Sequence, residues 1–290
     1  MTLMKRKVKI MMTGTTKSNI ETVKEILEAK GYKTEIVPVE KNGVIKTSIC
    51  VGEGRVKTAF YPADEFALGW SVSKVVDSII TRLSTDNFSY EDISQFLKWD
   101  YAKDHLQLCI QKKTGEDILK RAFLDLEQYV RVNLPSKICS GGGVASYKVK
   151  PGTFDVDEAE IFERAYEQIK GNFFIGDMRK TLVKMGMAAS EADLPEMPGF
   201  YVASYKSMEY GAAVICDTDL LREIAEQNNS DIAIIPSSVH ECLLLVGQDR
   251  ESAEFFDSMI REVNRTEVSL EEQLSDHVYF YSKAAGKIVY

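Results

Sequence analysis

Histidine, paired cysteine and long apolar runs are what this 290-residue chain has least of. With three histidines, a centre built from several imidazoles has few residues to draw on. The five cysteines, Cys50, Cys109, Cys139, Cys216 and Cys242, are odd in number, widely scattered and never spaced Cys-x-x-Cys. That pattern argues against a disulfide framework and against a zinc cage. Four of them sit in or beside apolar runs, where a free thiol behaves as a small hydrophobe, so a reducing compartment is expected. No stretch approaches the roughly 20 apolar residues that a bilayer span requires. The basic start, residues 1–7, is not followed by the apolar core of an export signal. A cytoplasmic protein outside the membrane is the expectation.

Catalytic signatures are missing too. No Gly-x-Ser-x-Gly elbow surrounds a serine, and no histidine has a second one four residues on in a His-Glu-x-x-His pattern.

What is present is ordinary globular material: 44% apolar and 28% charged residues. The length fits one large domain or two lobes, and residues 1–98 and 99–290 are taken as those lobes. Against 36 Lys and Arg stand 44 Asp and Glu, a net charge of −8. An acidic surface repels phosphate backbones, which disfavours generic nucleic-acid binding. The basic run at residues 4–9 reads as charges flanking a first strand.

That strand is expected at residues 8–12. Ser18 and Glu21 have the spacing of a capping box, opening a helix with Ile20, Val23 and Leu27 on one stripe and Gly31 at its end. Residues 34–39, 44–51 and 56–61, parted by Asn42-Gly43 and Gly52-Glu53-Gly54, read as an antiparallel meander. Val72, Val75, Val76, Ile79, Ile80 and Leu83 mark an amphipathic helix behind Ser71, and Ser89 with Asp92 opens another to Leu97. Residues 105–110 and 123–134 suit extended chain. Phe162, Ala165, Tyr166 and Ile169 define a further helix, and residues 185–199 a loop. Residues 200–204 and 212–216 read as a hairpin, followed by a helix with Leu220, Leu221 and Ile224 inward. Strands at 231–235 and 242–246 flank a turn. Phe255, Phe256, Met259, Ile260 and Val263 line one face of a long helix, and residues 278–281 and 287–290 close the chain as strands. Strands and helices do not alternate strictly, so the fold class is α+β, with largely antiparallel sheets and helices packed on them.

Three segments carry a resemblance: residues 235–241 (IPSSVHE), 262–268 (EVNRTEV) and 274–281 (LSDHVYFY). With the Gly211-Ala212-Ala213 run and Phe123-Leu124-Asp125-Leu126, they resemble a bacterial family catalogued as domain of unknown function 5688. Cys242, where an aliphatic residue is expected, and Gly141-Gly142-Gly143 depart from the pattern. The resemblance implies an intracellular bacterial protein and supplies no chemistry.

Ser237, Ser238, His240 and Glu241, with Asp276 and His277, form the leading candidate cluster. Two histidines and carboxylates on separate segments suit a metal-dependent or Ser/His hydrolase if the fold unites them. The alternative is structural, with serines satisfying turn backbone and a carboxylate orienting each histidine. Gly14, Thr15, Thr16, Lys17 and Ser18, at a strand-to-helix junction, form a candidate phosphate or nucleotide site, without the second glycine of a Walker A loop. Cys139, beside Ser140 and three glycines, is a candidate reactive thiol that lacks an evident thiolate-stabilising partner. Tyr201, Tyr205, Met208 and Tyr210 are candidate interface residues. The reading that joins these is a non-enzymatic binding or regulatory protein, an inhibitor or accessory factor. No metal and no cofactor is expected, and the partner is another protein met through an acidic, aromatic-containing surface.

Overall fold

The computed structural model describes residues 14–53, 56–85, 94–135, 146–184, 186–248 and 250–290. The strand expected at 8–12 and Cys139 with its glycines lie outside them, as does most of the helix expected before Leu97. By internal contacts the chain forms two compact units. Among the described residues, one comprises those from 14 to 105 and from 132 to 147, the other those from 106 to 131 and from 148 to 290.

In the first unit, helix α1 (Gly14–Ala29) precedes a meander of β1 (Thr34–Lys41), β2 (Val44–Glu53) and β3 (Val56–Phe60). The spatial order is β1-β2-β3, all antiparallel. α1 ends where the Gly31 N–H reaches the Glu28 carbonyl and the Tyr32 N–H the Leu27 carbonyl. Gly31 takes φ of 91° there, a backbone state glycine adopts without steric cost. Ser18 lies inside α1, and its carbonyl accepts from Thr22 Oγ1 at 2.9 Å. The expected capping box therefore does not open this helix. Short α2 (Pro62–Ala67) leads to α3 (Val72–Thr85), where Ser71 Oγ accepts from the Lys74 N–H. Ile20, Val23 and Leu27 of α1 and Val75, Val76 and Ile79 of α3 meet Ile49, Val51 and Phe60 in one core. A 3₁₀ turn (Gln95–Leu97) and α4 (Trp99–Ala102) follow.

The second unit holds β4 (Leu106–Lys112), β5 (Lys120–Phe123) and most of β6 (Leu126–Asn133), in the order β4-β6-β5; β7 (Ser146–Lys148), which pairs with β6, has one of its three residues here. The extended run expected from 123 onward is thus a hairpin, with Phe123 opposite Leu126. Its two-residue turn opens with Leu124 at φ of 55°. Helix α5 (Glu158–Ile169) is capped by Asp157, which accepts from the Ala159 N–H. It buries Ile161, Phe162, Ala165 and Ile169.

A six-stranded antiparallel sheet completes this unit. Its strands are β8 (Phe173–Asp177), β9 (Phe200–Tyr205), β10 (Ile232–Ile235), β11 (Cys242–Val246), β12 (Tyr279–Ser282) and β13 (Lys287–Val289), in the order β13-β12-β10-β11-β9-β8. Helix α6 (Met178–Lys184) follows β8. The expected hairpin of 200–204 with 212–216 is absent. β9 pairs with β8 and β11 instead, and Gly211–Cys216 coils as a wholly buried 3₁₀ segment. The Gly211 and Ala212 N–H groups donate to the His240 and Val239 carbonyls, so tertiary partners replace a strand ladder. α7 (Thr218–Asn228) is capped by Asp217. α8 (Ala253–Thr266) lays Phe256 and Ile260 on Ala233, Ile235, Leu245 and Phe280. At about 100° per residue, Phe255 lies a quarter turn away from Phe256, so the five apolar residues of α8 do not share one face. Phe255 is 68% exposed and Val263 40%.

Candidate functional site

The sheet register gathers the candidate residues at one end. Ile232 to Ile235 of β10 run antiparallel to β11, so residues 236–241 form the connecting turn. Ile234 faces Tyr279 of β12, which brings the start of β12, with Asp276 and His277, to that same end. A backbone bond from the Val239 N–H to the Glu272 carbonyl at 2.8 Å ties the turn to the segment before β12.

Within the turn, Ser238 is spent locally. Its Oγ donates to Glu241 Oε1 at 2.9 Å and accepts the His240 N–H at 3.0 Å, while its own N–H donates to the Glu241 carbonyl. Ser237 is half-buried beside it. His240 Nδ1 accepts the Tyr210 N–H at 3.2 Å. A backbone N–H can only donate, so that ring nitrogen carries a lone pair and the neutral ring keeps its proton on Nε2. Nε2 points to Glu272 Oε1 at 3.8 Å. Tyr210, at φ of 54°, tilts against this imidazole and carries the Arg131 guanidinium 4.4 Å over its ring.

His277 keeps different company. Its Nε2 meets Asp125 Oδ2 at 3.1 Å and its Nδ1 the Val278 carbonyl at 3.2 Å, both acceptors. Asp125 takes a second donor, the Tyr279 hydroxyl, at 2.5 Å on Oδ1. Burial and the Asp125 carboxylate push that phenol well above its usual range. The Tyr290 ring stacks on the imidazole at 5.1 Å. Asp276 accepts from Asn264 Nδ2 at 2.8 Å. Asn264 also donates to the Ser275 carbonyl and accepts on its own carbonyl from Gln273 Nε2.

The fold thus brings both histidines to one end of the sheet and gives each a separate carboxylate, Glu272 and Asp125. Neither acid stands out in the sequence as a partner. Asp125 lies 152 residues from His277, and its turn lacks glycine or asparagine. Among the described residues, no three His, Cys, Asp or Glu side chains group as ligands for a metal ion. Cys109, Cys216 and Cys242 are buried, and burial raises all three thiols, the first two to about 12. A protonated, enclosed thiol is inert as a nucleophile. Gly14 to Ser18 belong to the opening turns of α1, with Lys17 and Ser18 exposed. Of the candidate interface aromatics, Tyr205 is buried and donates to the Leu108 carbonyl at 2.7 Å. Tyr201, Met208 and Tyr210 are half-buried.

Residues 16–283 of the chain match the model of a family of unknown function, DUF5688. The chain belongs to the DUF5688 family. No curated protein and no solved structure matches it. Every candidate residue from Thr16 to His277 lies within the matched span, so the clasp around Asp125 is a feature of the DUF5688 part of the chain. Among the described residues, no helix is long and apolar enough to cross a membrane.

The Asp125 clasp makes a stability prediction. Replacing Asp125 by Ala strips the acceptor from the buried Tyr279 hydroxyl and is expected to cost about 2–3 kcal/mol. Tyr279→Phe removes only the donor, leaving a partly exposed Asp125 that keeps His277, and is expected to cost about 1 kcal/mol. Urea unfolding of the two variants checks the order, and equal costs would count against the clasp.

Proposed function

We propose that this DUF5688 chain is a non-enzymatic binding or regulatory protein, an inhibitor or accessory factor, that recognises another protein. The observation that carries the reading is the outer side of α8. Phe255 and Val263 stand exposed eight residues apart along it, while Met259 between them is partly buried against the core beneath the helix. Leu270, 48% exposed, follows the helix. Exposed apolar residues scattered singly are ordinary, whereas a row along one helix is a surface to be covered. Phe255 also packs edge-on against the buried Phe256, centroids 5.6 Å apart. An aromatic anchor held in place before binding loses little freedom on contact. The bonds that Ser238 makes to Glu241, His240 Nδ1 to the Tyr210 N–H and His277 to Asp125 within the fold support the same reading. The setting proposed is the reducing cytoplasm of a bacterium, in keeping with the unpaired Cys50, Cys109, Cys216 and Cys242.

The test compares the full chain with a Phe255→Ser/Val263→Ser variant as bait in a bacterial lysate. Both side chains face solvent, so the urea midpoint is expected to change by under about 0.5 kcal/mol in stability. A protein captured by the wild type is expected to be lost from the variant. Identical capture by both, or turnover of a substrate in an activity screen, would overturn the reading.

A further inference from the structure

A buried amine, a carboxylate and a side-chain amide meet beside β4 and β6, and all three belong to the second unit. Lys148 donates through Nζ to Glu116 Oε2 and to Gln111 Oε1, the latter at 3.1 Å. The Tyr129 ring lies 4.9 Å from the same nitrogen. Gln111 is 1% exposed, and the Glu116 and Lys148 side chains are 7% and 21% exposed, so water has little access to the group. The far end of the amide is held as well. Gln111 Nε2 donates to Glu127 Oε1 at 2.8 Å and to Thr114 Oγ1 at 3.0 Å, and Thr114 Oγ1 donates to that same carboxylate oxygen at 2.8 Å. The amide thus turns its carbonyl towards the amine and its nitrogen away. With a C=O bond of about 1.2 Å, the carbonyl carbon lies within about 4.3 Å of Nζ.

We propose that Lys148 and Gln111 join in an intramolecular isopeptide bond, with Glu116 as the proton carrier. Nothing in this chemistry depends on what α8 binds. Burial lowers the Lys148 ammonium even against the pull of Glu116, and a desolvated lysine amine is a nucleophile. Glu116 takes a proton from the ammonium, and Nζ then bonds to Gln111 Cδ. The Cδ–Nε2 bond breaks and the proton held by Glu116 goes to the departing nitrogen. The proton that Nζ sheds on becoming an amide leaves with it, so an ammonium and a primary amide become a secondary amide and a free ammonium ion. Alignment within one fold makes the step unimolecular, and the dry surroundings keep water from competing for Cδ. The structure shows the partners before they join. The bond closes a span of 37 residues, and a cross-link over such a span removes freedom from the unfolded chain.

The test is the mass of the full chain, denatured after purification and prolonged incubation. The wild type is expected to be lighter than its sequence by one ammonia, about 17 Da. Lys148→Arg and Glu116→Gln are expected to keep the full sequence mass. Tryptic digestion locates the bond, because the peptide ending at Lys112 should be joined to one that runs through Lys148, where trypsin no longer cuts. A wild type at its full mass would overturn the proposal. So would an ammonia loss confined to the peptide carrying Asn42-Gly43, which marks a cyclic imide there, or a loss that persists in Lys148→Arg. A Glu116→Gln chain that loses ammonia as fast as the wild type would overturn the role of Glu116. If either variant shows no cooperative urea transition, the branched wild-type peptide decides: its presence upholds the bond and its absence overturns it.

Discussion

Between pH 8 and pH 10 the protein is expected to lose several kcal/mol of stability, because three thiols that ionise freely in the unfolded chain stay protonated in the fold. Burial raises Cys109 and Cys216 from the ordinary 9.0 to about 12, and lifts Cys242 well above 9.0. A group whose folded value is raised contributes stability that is complete below its unfolded value. That stability is lost as pH climbs towards the folded value. One pH unit corresponds to about 1.4 kcal/mol for each such group, so three thiols together account for about 4 kcal/mol from pH 8 to pH 10. Tyr129 and Tyr205, also raised by burial, add to the loss above pH 10. Two lysines act in the opposite sense. Burial lowers Lys112, with Asp276 opposing it, and lowers Lys148 against the pull of Glu116. Each sheds its proton in the fold first, so its burial becomes less costly as pH rises. The clean measurement is a difference. Urea unfolding in reductant should show the wild type losing about 3 kcal/mol more over this range than Cys109→Ala/Cys216→Ala. Parallel pH profiles would show that these thiols ionise as readily in the fold as outside it.

The sequence carried local structure well where chemistry and geometry agree. Asn42 and Gly43 take φ of 48° and 78°, the left-handed pair that a tight hairpin demands, and the meander forms around them. Gly31 stops α1 for the same kind of reason. The β10–β11 hairpin follows from two apolar runs around Pro236-Ser237-Ser238, and Ser71 caps its helix by a direct side-chain bond. Local signals failed where tertiary partners decide. Gly211–Cys216 is an apolar run of six, a pattern shared by a buried strand and a buried helical segment. The carbonyls of Val239 and His240 settle which it is. At Leu124-Asp125 the chain reverses without glycine, asparagine or proline, so nothing local announces β5 and β6 as separate strands. α1 starts four residues before its apparent capping box. β8 and α6, between Phe173 and Lys184, had no sequence signal strong enough to separate them from the loop that follows.

The candidate cluster was legible in composition and illegible in partnership. The turn at 236–241 and the segment at 274–281 stand out in sequence, and both come to one end of the sheet. Their partners do not stand out, because Asp125, Glu272 and Tyr210 reach the histidines only through sheet order. Each partner also fixes what its histidine can do. The backbone donor on His240 Nδ1 and the Asp125 carboxylate at His277 Nε2 are neighbours that spacing alone cannot supply.

Gly211→Ala is expected to be the most damaging single methyl addition in this end of the sheet. A Cβ at Gly211 would sit 2.2 Å from the Tyr205 backbone nitrogen and 2.2 Å from Ser204 Oγ. The hydroxyl already donates to the His240 carbonyl at 2.7 Å, and the Gly211 N–H donates to that same carbonyl at 3.0 Å. Neither neighbour can withdraw without breaking β9 or the His240 turn, so the overlap must be relieved by moving backbone. Forced overpacking of this kind costs roughly 1–3 kcal/mol when side chains can adjust. Here, with backbone on one side and a bonded hydroxyl on the other, about 3–5 kcal/mol is expected. Gly247→Ala is the contrasting case. Gly247 has φ of 80° and nothing within 4 Å of its would-be Cβ, so only the backbone preference is lost, about 1–2 kcal/mol. Thermal unfolding of the two variants should therefore rank Gly211→Ala well below Gly247→Ala. The reverse order would mean that β9 and the Gly211–Cys216 segment are not in the contact that holds His240 in place.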